Sequence, residues 1–200
     1  MSQTGPSSSD LELVPPGAHL ARCYRIIDLG SQKSSTSTGA THRPEIAVQF
    51  EVYAQDAKGN LLVADDGGPV VISKIYPLSL SATALLRKDL TSWRGKEFSP
   101  AELRGFELKS ILGQWAMIAV APAEGGDGDE YSSIISISGV PDEISKAGLP
   151  PGHHKLAMFT IAEADLDAFA TFSKQIRDKI EASPEWASLT RKRIKAGTSR

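Results

Sequence analysis

Cysteine is almost absent from this chain of 200 residues: Cys23 stands alone, so no internal disulfide and no thiolate metal cluster can form. A single thiol in a strand-like run fits a reducing compartment, and a cytoplasmic location is the expectation. Long apolar runs are also missing. None approaches the roughly eighteen residues that a helix needs to cross a bilayer. The stretch Met1–Asp10 has neither a basic start nor an apolar centre, so no secretory signal is expected. Glycine-rich phosphate loops, dinucleotide fingerprints and nucleophile-elbow motifs do not occur. The chain is therefore not expected to be an enzyme, and no cofactor is implied.

Net charge is likewise small, −2 overall, but its layout is uneven. Residues 17–121 carry 12 Lys+Arg against 10 Asp+Glu, while 122–141 carry four acids (Glu124, Asp127, Asp129, Glu130) and no base. A general polycation is excluded, yet a local basic groove remains compatible with this balance.

What is present is strand patterning interrupted by one amphipathic helix. Residues 1–16, rich in Ser, Pro and Gly, form an expected flexible lead. Ala18–Leu29 reads as a first strand, with Leu20, Arg22, Tyr24 and Ile26 alternating against Ala21, Cys23, Arg25 and Ile27. Gly30–Pro44, dominated by Ser, Thr and Gly, reads as a long mobile loop. In Glu45–Ala54, Ile46, Val48, Phe50 and Val52 share one face. Leu61–Val63 and Val70–Tyr76 read as the next hairpin. Ser81–Trp93 is the helix, apolar at Ala82, Leu86, Leu90 and Trp93.

A second helix has its start written out: Ser99 caps, Pro100 takes the first helical position, and Glu102 completes a capping box. Phe106–Leu112 follows as a short helical piece, then strands at Gln114–Ala121 and Tyr131–Ser138 around the acidic loop 122–130. Residues 142–200 are expected to form a linker and a separate helical, basic tail. In it Phe169, Phe172, Ile176 and Ile180 trace one helical stripe, and Arg191–Lys195 is a basic run.

One helix between the third and fourth strands is the ordering of a five-stranded OB barrel. The expected fold is thus mainly β with helices (α+β): an OB-like barrel over 17–141, with the helical insert and the tail. Such barrels bind single strands by stacking bases on aromatic rings and tracking phosphates with cations. The candidate stacking residues are Tyr24, Tyr76, Tyr53 and Trp115. The candidate phosphate contacts are Arg22, Lys74, Arg87, Lys88 and Arg94, with Lys33 and Arg43 closing from the loop. Alternation pairs Arg22 with Tyr24 and Lys74 with Tyr76 on neighbouring strands. Phe50 and Trp93 lie in apolar registers and read as core. His153-His154 in a Pro-Gly turn could ligate a metal, but an adjacent pair of this kind is more often incidental and solvated. Asp127, Asp129 and Glu130 lack the spacing of a calcium loop, so no metal is expected.

The segments Ile26-Ile-Asp-Leu-Gly-Ser-Gln, Phe50-Glu-Val, Lys74-Ile-Tyr-Pro-Leu-Ser-Leu, Leu86-Arg-Lys-Asp-Leu-Thr-Ser-Trp-Arg-Gly-Lys-Glu-Phe and Lys179-Ile-Glu-Ala-Ser-Pro-Glu-Trp resemble a family of tailed-phage and prophage proteins. The resemblance spans about residues 17–186 and is most specific at Leu86–Gly95. It implies a single-stranded DNA-binding protein of a replication or recombination module, acting in the bacterial host cytoplasm. Phage replication or recombination proteins are its implied partners, with no membrane and with a homo-oligomer allowed. The alternative from another class is a protein-interaction module for a phage recombinase or a host factor. A metal-dependent nuclease using Glu45, Glu51 or the acidic loop has little support, since these carboxylates do not converge in sequence.

Overall fold

The computed structural model describes residues 13–36, 39–125, 128 and 130–197. The lead up to residue 12, Asp127 and Asp129 of the acidic loop, and the side chains of Arg193 and Lys195 lie outside the described residues.

Among the described residues, six strands form one sheet. In chain order they are β1 (Gly17–Thr36), β2 (Gly39–Tyr53), β3 (Val70–Pro77), β4 (Trp115–Glu124), β5 (Glu130–Ser138) and β6 (Ala157–Phe159). The ladder runs β3-β2-β1-β4-β5 with every neighbouring pair antiparallel, and β6 adds to β1 in parallel. Between β3 and β4 lie helix α1 (Leu85–Arg94), helix α2 (Pro100–Gly105) and a 3-10 turn, Leu108–Ile111. After β5 come α3 (Asp142–Ala147), α4 (Leu166–Ala170), α5 (Lys174–Glu181) and α6 (Pro184–Gly197). The α+β class matches the expectation; the closed barrel does not. The edges β3 and β5 approach each other but share no ladder, and α1 packs against both.

The main core fills the inner face of the sheet. Ala21, Cys23 and Ile26 of β1 meet Ile46, Val48, Phe50 and Val52 of β2, Ile118 and Val120 of β4, and Leu86 and Leu90 of α1. Burial pushes the Cys23 thiol up to about 12, so it is an inert core residue.

Two expectations for β1 and β2 change. A bulge between Cys23 and Arg25 leaves Tyr24 without a partner in the register. That extra residue moves Ile26 onto the core face and ends the simple alternation through Arg22, Tyr24 and Ile26. The expected loop 30–44 is instead ribbon, since β1 and β2 stay paired from Gly30↔Glu45 out to Thr36↔Gly39. Its Ser- and Thr-rich composition satisfies backbone pairing without needing a buried face.

The segment after Pro141 is not a separate tail. Ile27, Leu29 and Ala47, on the outer face of β1 and β2, form a second core with Phe159, Ile161, Ala164, Phe172, Ile176 and Ile180. The apolar stripe expected on one helix is split between α4 and α5 at Thr171–Ser173, where the Ser173 hydroxyl caps α5 by accepting from the Ile176 amide. Phe169 stacks on Trp186 of α6 at 4.5 Å. The outer face around Ile27, Leu29 and Ala47 is therefore covered by protein.

Candidate functional site

The residues expected to form one binding track fall on opposite faces of the sheet. In β2, Phe50 and Val48 point into the core while Gln49 and Glu51 point out, and partners across the ladder share those faces. Lys74 is opposite Val48 and Tyr76 opposite Ile46, so both face inward; Arg22 is opposite Glu51 and faces outward.

Tyr76 is 2% exposed and donates its hydroxyl to Asp89 of α1 at 2.8 Å. Lys74 Nζ lies 2.7 Å from the same carboxylate. Burial, reinforced by the Asp89 charge, pushes the Tyr76 phenol upward. This triad clamps α1 to β3. Tyr76 has no surface to offer a base, and the Lys74 ammonium, little exposed, is committed to Asp89, so both make internal contacts in place of the expected ligand contacts.

Tyr24 is also buried, with its hydroxyl on Gln49 Oε1 at 3.2 Å and its ring 4.6 Å from that of His154. Burial raises its phenol as well. Arg22 donates from Nε to Glu51 Oε1 and from Nη2 to the His154 carbonyl, each at 2.6 Å. Glu51 has no exposed surface, and it also accepts from the backbone amides of His153 (3.1 Å) and His154 (2.8 Å). Burial alone would raise the Glu51 carboxyl; the His154 amide and the Arg22 and His154 side chains outweigh it and hold the group below the usual range. Gly152 passes so close to Arg22 that a Cβ there would sit 1.7 Å from the guanidinium carbon. Only glycine fits. The strap 150–154 thus lies directly over Arg22 and Tyr24, and both are corrected from ligand contacts to internal ones.

The remaining candidates stay at the surface. Lys33 and Arg43 are exposed on the β1–β2 ribbon, opposite His42 and Gln32 respectively. These are adjacent rungs, so the two side chains project to opposite faces. Lys88 is exposed on α1, and Arg87, half-buried, donates to the Leu80 carbonyl at 3.5 Å.

Arg94, Trp115 and Tyr53 are the candidates that the fold brings together. Trp115 packs on Tyr53 with ring centroids 5.2 Å apart, and its carbonyl accepts from the Trp93 indole at 2.7 Å. Both tryptophans and Arg94 line an open cleft of about 1180 Å³ between α1, α2, the start of β4 and α3. Phe98 and Phe106, packed edge to face at 5.3 Å, complete its wall. Trp93, Phe106 and Trp115 are each half-buried.

Local sequence chemistry shapes this cleft. Gly95, at φ 67, ends α1 in the left-handed conformation and lets the chain turn away. The capping box at Ser99–Glu102 then starts α2 across the opening. Glu102 serves twice: it closes the cap and binds Arg94, whose guanidinium carbon lies 4.1 Å from the Phe98 ring centroid. The Ser99 amide, followed by Arg94, holds the Glu102 carboxyl down at about 2. Arg94 is thus fixed at the rim of an aromatic wall. Phe98 and Phe106 were not among the sequence candidates, although their position on either side of a capped helix marks them as flanking one surface.

Among the described residues, no helix is long and apolar enough to cross a membrane. No protein-family model matches this chain, and no curated protein matches it.

Proposed function

We propose that the chain binds single-stranded DNA with little sequence preference, in the cleft between α1, α2 and β4. The observation that carries this reading is the wall of two tryptophans and two phenylalanines with Arg94 at its rim. Bases of any identity stack on such rings, at about 1–3 kcal/mol each, while cations nearby track the backbone. Lys88, Lys96, Arg104 and Lys109 supply cations on α1, α2 and their connections. The strand order β3-β2-β1-β4-β5 with helices inserted before β4 supports an OB-like ancestry, with the barrel left open between β3 and β5. The phage replication or recombination setting rests on the resemblance described above, and the role is binding without turnover.

The apolar share of the cleft favours one second reading, a protein segment as occupant in place of DNA. Salt separates the two. Phosphate binding weakens steeply with added salt, and an apolar protein contact does not.

Trp115→Ala is expected to weaken single-strand affinity by roughly five- to 100-fold, matching one lost stacking platform. The carbonyl that holds Trp93 belongs to the backbone and survives this change. Tyr24→Phe is expected to leave affinity unchanged. Anisotropy of a labelled oligonucleotide reads both, and the reverse ranking would move the site to the β1–β2 face.

A further inference from the structure

Beside the buried Glu51 lies a second constellation that plays no part in the cleft. Asp66, in the turn between β2 and β3, comes together with His153 and His154 of the strap, and one ligand atom from each lies within 4.8 Å of the others. His154 Nδ1 is 2.9 Å from Glu51 Oε2. An ionised carboxylate only accepts, so this nitrogen carries the hydrogen and donates. With the hydrogen on Nδ1, the neutral tautomer carries its lone pair on Nε2. That nitrogen lies 3.5 Å from Asp66 Oδ2. A cation between these two atoms, whether a proton on Nε2 or a metal ion, satisfies both. The gap is already close to the edge of a tetrahedral site, about 3.3 Å for donor distances near 2.0–2.1 Å.

We propose that Asp66, His153 and His154 bind a zinc-class divalent cation, with Glu51 fixing the His154 ring for the purpose. Two imidazoles and a carboxylate, with no thiolate, suit such an ion and leave a position open to water. Glu51 occupies the supporting place that a carboxylate takes behind a metal-bound histidine. Arg22 balances the Glu51 charge, so the Asp66 charge stays available to the ion. The turn is built to approach the strap closely: Asp66 Oδ1 accepts from the Gly68 amide at 2.9 Å, and a Cβ at Gly68 would stand 2.5 Å from the His153 ring. His153 is exposed, so its ring closes on the ion by a side-chain rotation. The bound ion ties the strap 150–154 to the turn 65–68.

The test uses tag-free full-length protein, with Zn²⁺ followed by calorimetry and thermal shift and Co²⁺ followed by its visible absorption. The expected result is one ion per chain at micromolar affinity or tighter, a raised melting temperature, and imidazole-bound Co²⁺ absorption. Asp66→Asn keeps the Gly68 contact and the fold, and His153→Ala keeps the backbone amide to Glu51. Each is expected to weaken binding by roughly ten- to 100-fold or more, whereas His42→Ala on the distant ribbon changes nothing. No 1:1 binding, or variants of Asp66 and His153 that bind as the wild type does, would overturn the site. Neither readout involves DNA, so the outcome is independent of the cleft.

Discussion

Glu51→Ala is expected to destabilise the protein by about 3–5 kcal/mol, because it leaves the Arg22 guanidinium buried without its counter-charge. Arg22 is only 13% exposed and Glu51 not at all, so water cannot replace the lost carboxylate. The His153 and His154 amides and the His154 ring lose their acceptor in the same step. For that reason the double change Arg22→Met, Glu51→Leu restores only part of the loss. It removes the stranded charge and leaves two strap amides unpaired, each costing on the order of 1–3 kcal/mol if still buried. Urea unfolding at constant slope reads the difference. The pH dependence carries a second signature. The Glu51 carboxyl is depressed in the folded state, so its stabilisation is fully present above the unfolded glutamate pKa, about 4.3, and fades as pH falls below it. In Glu51→Ala that part of the acid limb is expected to flatten. A loss under 1 kcal/mol with an unchanged acid limb would mean that the strap does not depend on Glu51.

Asp89→Ala is the other large effect, again about 3–5 kcal/mol, since it strands the Lys74 ammonium beneath α1. Lys74 is 12% exposed and has the Asp89 carboxylate as its ion-pair partner. Tyr76 loses its hydrogen-bond acceptor at the same time. The compensated pair Lys74→Met, Asp89→Leu is expected to recover most of the stability, because both charges leave together. This variant also discriminates between roles. A phosphate-contacting lysine contributes about one unit to the slope of log affinity against log salt. Lys74→Met, Asp89→Leu is expected to keep that slope. A slope reduced by one would return Lys74 to the binding surface.

The contrast between these two clusters shows which features the sequence made legible. Apolar periodicity placed β2, β3, β4, β5 and α1, because burial of one face writes itself directly into spacing. The capping box at Ser99 placed the start of α2 from four residues. Register was the weak point. One unpaired residue at Tyr24 reverses which side chains share a face, and nothing in the local alternation signals it. Lys74 and Tyr76 read as an exposed cation-aromatic pair, since their inward partner Asp89 is contributed by a helix and is not visible from the strand. The strap is a harder case. His153 and His154 gain meaning from Glu51, about a hundred residues earlier, and from Asp66 in another turn. A His-His pair after Pro-Pro-Gly was the available signal, and on its own it does not distinguish a solvated pair from an anchored one. Of the candidate binding residues, Arg94 and Trp115 line one cleft, Tyr53 packs on Trp115 and donates to the strap at Pro151, and Arg22, Tyr24, Lys74 and Tyr76 hold the fold together.

The central claim, a single-strand site in the aromatic cleft, is tested most directly by fluorescence anisotropy. A labelled oligo-dT of about 30 nucleotides, long enough to span at least one site of most OB-like folds, is titrated from low to high salt. The expected result is tight binding at low salt that weakens steeply as salt rises, weaker binding to duplex, and loss of affinity in Trp115→Ala. No binding at low salt, or affinity indifferent to both salt and Trp115, would contradict it.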